Sequence, residues 1–416
     1  MKEKNFFLLG GNFINKGAEA MLKTVQFHIL EAHPNAAIYV RCRYAEKDIA
    51  IKQGFIPVYE NLSGIRKIAY QFYEKALAKT TAALGRKPIP FADRTPIADM
   101  RRKIKRVHMG IDVSGYAYGD SRDYMQPLET IKAINFCKER GGKFVFMPQA
   151  WGSFELADVA QNVRDMLKLS DDFFVRDTVS RDYIAGLLGK DAASVPVYPD
   201  IAFTFPHPGL ERGGRILSSI GRTSSQRKLL AICPNMRVYA RSEGKGEDNV
   251  YVQKLVKIAR HAMDKMDMDV VLVPNEVRPV EGYHPDDRFI CRLLNKAISD
   301  EERCFYVSEY YSAEEVKSVL GHADLVVASR FHSLIFALSQ GIPCMAISWS
   351  HKYRELFALF GMEKFVVEDS DINNTGLFEL LTELNEQNEQ WSTTIKETLP
   401  KIKEKLSIPL SKIRLG

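Results

Sequence analysis

The six cysteines of this 416-residue chain include no C-x-x-C pair. Scattered thiols give no disulfide framework and no zinc-ligand spacing, so no metal site is expected, and they fit a reducing, cytoplasmic setting. There is no run of about 18 apolar residues, so no transmembrane helix is expected. The opening MKEKNFFLLGGNF has too short an apolar stretch for a secretory signal and reads as a first strand. Its glycines lack the G-x-G-x-x-G spacing, which disfavours a dinucleotide-binding dehydrogenase. Internal repeats and low-complexity stretches are missing too. No nucleic-acid recognition motif accompanies the basic residues, so no nucleic-acid partner is expected.

What is present is an ordinary globular composition, 45% hydrophobic and 26% charged. The length exceeds what one core usually holds, so two domains are expected. The net charge of +6 is unevenly spread: residues 61–107 hold twelve Lys and Arg against three acids, leaving the remainder net acidic. Within that segment Tyr70, Phe72 and Tyr73 stand among Ile65, Ile68 and Leu77, as on one amphipathic helix. It reads either as a solvated insertion on the first domain or as a peripheral contact to anionic lipid, near a lipid-linked acceptor.

Strand-like and helix-like patterns alternate through both halves. That pattern argues for parallel sheets covered by helices, and so for an α/β fold of two Rossmann-like domains facing a cleft. The boundaries read as 1–205 for an N-terminal α/β domain carrying the 61–107 insertion and 206–227 for a Gly/Pro/Ser-rich linker. A C-terminal α/β domain follows at 228–368, then a polar helical tail at 369–416 that returns to the first domain. Ser312, three before Glu315, has the spacing of a capping box, and Ser180 is placed to cap the helix SRDYIAGLLG.

The most informative stretch is ASRFHSLIFALSQGIPCMAIS, residues 328–348. The apolar run before it suits a buried strand. Leu334, Ile335 and Leu338 suit a buried helix, Gly341 ends that helix, and Pro343 opens the next strand. Ser329, Arg330 and His332 therefore fall at the turn between strand and helix. In open parallel sheets ligands bind beyond the carboxyl ends of the strands. The other ends carry LGGNFINKGAE, VSGYAYGD, MPQAWGSF, VRDTVS, CPNMR and VPNEVR.

GNFINKGAEAML, PQAWGSF, VRDTVSRDYI and SRFHSLIFALSQGIPCMAIS, ordered along roughly residues 6–350, resemble motifs of the polysaccharide pyruvyl transferases. The resemblance implies a glycosyltransferase-B-like fold. It also implies transfer of a pyruvyl group from phosphoenolpyruvate to a saccharide as a ketal, with release of phosphate. Such chemistry calls for a cationic clamp on carboxylate and phosphate, a general acid and a general base, and no redox cofactor.

The donor set expected on this basis is Arg330, His332, Ser329, Arg176, Asn235, Arg237 and Lys352. Arg330, His332 and Glu19 are the catalytic candidates; Asn12, Asn15, Gly17, Asp112 and Tyr116 are the acceptor candidates. Each has a structural alternative. Arg330 can pair with a carboxylate, Arg176 with Asp177 or Asp182, and Glu19 can act as a first-turn dipole partner. Two other functions share the architecture: a nucleotide-sugar glycosyltransferase and a non-catalytic sugar-binding protein.

Overall fold

The computed structural model describes residues 4–59, 97–123, 125–223, 226–278, 285–368 and 376–415. Most of the basic segment 61–107, including its amphipathic pattern, lies outside the described residues. Of the part that is described, Lys103 donates to the Pro57 carbonyl at 2.8 Å and Arg101 stands 3.5 Å from Glu139. The chain forms two compact units. One comprises Met1–Phe13, Val25–Asp200 and Ser407–Gly416; the other comprises Ile14–Thr24 and Ile201–Leu406.

The first unit holds strands β1 (Asn5–Leu9), β2 (Ala37–Arg41), β3 (Ile56–Val58), β4 (Met109–Asp112), β5 (Tyr116–Tyr118), β6 (Lys143–Trp151) and β7 (Asp172–Val175). All pair parallel in the order β3-β2-β1-β4-β6, with β5 and β7 both on β6. Phe6, Phe7, Leu8 and Leu9 are all buried, as a parallel sheet covered on both faces requires. Helix Thr178–Leu188 is capped by Asp177, whose side chain accepts from Ser180 N–H at 2.7 Å. Ser180, read from sequence as the cap, instead accepts from Trp151 N–H at 2.8 Å. Asp177 wins because it stands three residues before that amide, outside the helix, where an N-cap oxygen must be.

The second unit holds β8 (Leu229–Cys233), β9 (Asp269–Leu272), β10 (Cys304–Tyr306), β11 (Leu325–Ala328), β12 (Cys344–Ser348) and β13 (Val366–Glu368). Its order is β10-β9-β8-β11-β12-β13, all parallel, which is the Rossmann order. Ser312 and Glu315 form the expected capping box on helix Ala313–Leu320. The stretch 206–227 is not merely a linker, because it contains helix Glu211–Ser219. There Gly213 lies so close to the Ser318 backbone that a Cβ would stand 2.3 Å from its carbonyl oxygen. Of the paired glycines that suggested a loop, Gly213 is the one that allows this close helix packing.

Lys317, on helix Ala313–Leu320, is 2% exposed and donates to the Phe205 carbonyl at 2.8 Å. No carboxylate pairs with it among the described residues. Burial, and then nearby Lys403, pushes its pKa down to about 7. In the unfolded chain a lysine keeps its proton to about pH 10.4. Between those values the unfolded chain binds more protons, so stability rises with pH there and is lost as pH falls toward 7. The urea midpoint is expected to increase from pH 7 to pH 9, and Lys317→Met to flatten that dependence.

Candidate functional site

The second sheet changes its direction of growth between β8 and β11, so a crevice is expected beyond their carboxyl ends. Cys233 and Ala328 are in register there, and Asn235 and Ser329 follow them. Asn235 caps the short helix Met236–Tyr239 through Oδ1, and its Nδ2 donates to the Ser329 carbonyl at 2.8 Å. Tyr353 OH donates to the same carbonyl at 2.7 Å, and Tyr251 OH donates to Ser329 Oγ at 2.7 Å. Ser329 is 1% exposed. Its polar groups are thus used in holding the turn, and so are those of Asn235. Both are 1% exposed and hold the turn, a different role from the contact with the donor substrate expected of them.

Arg330 departs further from its expected role. It was expected to grip an anion directly, but Nη1 donates to Glu276 Oε2 at 2.9 Å and Nη2 is bonded to Asp287 Oδ1. All three residues are buried. Burial alone would weaken the charge on Arg330, but Asp287 and Glu276 more than offset it, so its pKa rises. Burial likewise opposes ionisation of Glu276, yet Arg330 and Arg237 hold it below the ordinary carboxylate value. Asp287 is fully enclosed; burial outweighs Arg330 and leaves it raised. Asp287 also accepts from the N–H groups of Met236, Asn275 and Glu276, which ties the ends of β8, β9 and β11 together. Arg330 is therefore the keystone of a buried triad, with its terminal nitrogens already committed.

The NKGAE stretch completes this edge. Asn15 forms an antiparallel bridge with Glu276, and Lys16 N–H donates to the Asn275 carbonyl at 3.0 Å. Asn15 Oδ1 accepts from Gly17 and Ala18 N–H, capping helix Lys16–Ala32. Lys16 is fully buried; its Nζ lies 2.9 Å from Glu19 Oε2 and 3.7 Å from the centre of the Tyr310 ring. Glu19 Oε1 accepts from Ala313 N–H, at the start of helix Ala313–Leu320. Burial pushes the Glu19 carboxyl up against the pull of Lys16. Read as a catalytic base, Glu19 is instead an enclosed partner of Lys16 and a helix cap. Asn15 and Gly17, read as acceptor residues of the first domain, stand in the second unit.

Further basic side chains lie beside this framework. Arg237 is half-buried; its N–H donates to Asn235 Oδ1 at 2.9 Å, while its guanidinium makes no hydrogen bond or ion pair among the described residues. It stands within electrostatic reach of Glu276 and Tyr353. Lys352 Nζ lies 4.6 Å from the Trp349 ring centre, 5.1 Å from Phe331 and 5.6 Å from Tyr353. Arg241 approaches Trp349 at 5.1 Å. His332 is half-buried, with its ring 5.5 Å from that of Phe331. Cations against aromatic faces, close to a helix start, form an edge that suits a small, multiply charged anion.

In the first unit the expected residues are largely occupied. Arg176 pairs with Asp200 at 2.6 Å, both buried. This partner comes from the YPD turn; Asp177 caps a helix, and Asp182 pairs with Arg181. Asp112 accepts from Ser114 N–H at 2.8 Å and Tyr118 OH at 2.7 Å, and burial raises its pKa. It braces a loop and has no oxygen left exposed to an acceptor. Tyr116 OH donates to the Gly152 carbonyl at 2.6 Å, and Asn12 lies half-buried after β1. Sequence reading passed over Lys16, Glu276, Asp287 and Gln149. Gln149, at the end of β6, is fully buried with neither amide atom bonded to a described residue.

Comparison with known proteins places this geometry. Over 73 residues, 18% of this chain and 18% of the relative, it is 27% identical to the amylovoran biosynthesis protein AmsJ of Erwinia amylovora. The chain therefore matches under a fifth of that relative's length. The UDP-GlcNAc 2-epimerase of Neisseria meningitidis has a similar structure, with TM-score 0.52 at 10% identity and 94% of each chain covered. That of Methanocaldococcus jannaschii gives 0.53 at 11%, covering 91% of this chain and 92% of its own. The spinosyn rhamnosyltransferase SpnG gives 0.51 at 10%, covering 98% and 99%. Such identities speak to the fold alone, a glycosyltransferase-B-like pair of Rossmann-like domains. The sequence profile of the polysaccharide pyruvyl transferases matches residues 15–351, from Asn15 of the NKGAE turn to beyond the SRFHS turn, and the chain belongs to that family.

Proposed function

We propose that this protein transfers a pyruvyl group from phosphoenolpyruvate to a saccharide, forming a ketal and releasing phosphate. The observation that carries the reading is the edge at β8, β11 and β12, where the Arg237 guanidinium has no ion pair among the described residues and lies within electrostatic reach of Tyr353, whose ring centre Lys352 Nζ approaches at 5.6 Å. Phosphoenolpyruvate bears a carboxylate and a phosphate, and these side chains match both. In the reaction the methylene carbon takes a proton, and the adjacent carbon becomes oxocarbenium-like. One acceptor hydroxyl attacks it, phosphate leaves, and a second hydroxyl closes the ring. Of the two hydroxyl protons lost, one balances the proton on the new methyl group and the other leaves with phosphate.

His332 handles a proton or steadies the phosphate, Arg237 and Lys352 hold the donor's charge, and Arg330 fixes the turn that presents them. The test is phosphate release from phosphoenolpyruvate across a panel of saccharides. Acceptor-dependent release supports the reading. Donor release from a nucleotide sugar, with none from phosphoenolpyruvate, overturns it.

A further inference from the structure

We infer that Gly17 is a positioning residue for His332, and that the space left by its missing side chain fixes where the imidazole lies. A Cβ built at Gly17 would stand 2.0 Å from both Cγ and Nδ1 of His332 and 2.5 Å from its Cβ. No real atoms approach so closely, so ring and backbone are already in contact and even alanine must displace the ring. Gly17 has no left-handed backbone angle that would itself require glycine. What the position demands is space. This replaces the reading of Gly17 as part of an acceptor-binding turn.

Neither side of the contact can easily retreat. On the glycine side, Asn15 Oδ1 holds Gly17 N–H at 3.0 Å. Lys16 N–H is bonded to the Asn275 carbonyl, and Val277 N–H donates to the Ile14 carbonyl at 2.9 Å. The buried Lys16–Glu19 pair secures the same helical turn. On the histidine side, helix Phe331–Leu338 starts from Arg330, whose guanidinium is held by Glu276 and Asp287. Ser333 Oγ accepts from Asn275 Nδ2 at 3.0 Å. Residues 275 and 276 thus brace both the turn that carries Gly17 and the turn that carries His332. The imidazole sits between two anchored backbones, with its Cγ–Nδ1 side toward Gly17. Nε2 is the far nitrogen of the ring, and it is buried.

The functional half of this inference rests on the role proposed for His332; the contact itself does not. Gly17→Ala is expected to lower kcat for pyruvyl transfer roughly 10- to 100-fold, as displacement of a reacting group by about 1 Å does, with KM for phosphoenolpyruvate little changed. Imidazole 15N resonances of His332, assigned by their loss in His332→Ala, are expected to move in Gly17→Ala. Unmoved resonances overturn the inference. Moved resonances with unchanged turnover preserve the contact and overturn the function proposed for His332. Should Gly17→Ala fail to fold, Gly17→Ala/His332→Ala, which removes the ring, is expected to restore the urea midpoint. Failure of that rescue overturns the contact.

Discussion

Arg330→Met is expected to destabilise the protein by about 3–5 kcal/mol, the usual consequence of removing one partner from a buried ion pair. Methionine fills most of the volume, so the cavity contribution is small. What remains is Glu276 and Asp287, both buried, with their shared cation gone. Asp287 cannot easily turn to water, because its oxygens also hold three backbone N–H groups. Arg330→Lys keeps the charge but supplies a point ammonium in place of a fork spanning two carboxylates, so it is expected to recover only part of the loss. Adding Glu276→Gln to Arg330→Met removes one of the stranded charges and is expected to regain stability. Urea midpoints at constant slope measure all three. An Arg330→Met variant as stable as its parent would show that the triad is not the support described here. A loss of donor affinity without loss of stability would return Arg330 to the role of anion ligand.

For chemistry the largest expected effect is at His332. His332→Ala is expected to reduce turnover by about 10²-fold or more, whether the imidazole transfers a proton or stabilises developing charge on phosphate. Its stability is expected to fall by the cavity that the half-buried ring leaves beside Gly17, so turnover is compared at equal folded fraction. His332→Gln separates the two roles: an amide can hydrogen-bond phosphate but exchanges no proton near neutral pH. Retained turnover in the glutamine variant assigns His332 to phosphate, and turnover as low as in the alanine variant assigns it to proton transfer. Parental turnover in His332→Ala would remove it from the reaction.

The parts legible in the sequence are those governed by local pattern. The unit β11, turn, helix, β12 could be read because its apolar run, its buried helix and Gly341 are neighbours in the chain. The Ser312–Glu315 box could be read from spacing alone. Long-range partners could not. Arg330 meets Glu276 and Asp287 across 54 and 43 residues, and nothing near SRFHS names them. Nor does local pattern show that Ile14–Thr24 groups with the second unit, since that depends on bridging Asn15 to Glu276. One residue was readable and was missed: a lysine three positions before a glutamate, as in Lys16 and Glu19, is a helical ion-pair spacing. The general error was to read polar residues at strand ends as ligands. Ser329, Asn235, Asp112 and Arg176 stand at such ends, where the strands leave the sheet, and the turns use their polar groups.

The central claim is that the three-carbon unit of phosphoenolpyruvate ends on the acceptor as a ketal. Carbon-13 NMR of the product made from phosphoenolpyruvate labelled at C2 tests it most directly. The expected result is a labelled quaternary ketal carbon on the saccharide, bonded to two acceptor oxygens and formed in step with phosphate. Label recovered only as free pyruvate, or as an enol ether that never closes onto a second hydroxyl, would contradict the account.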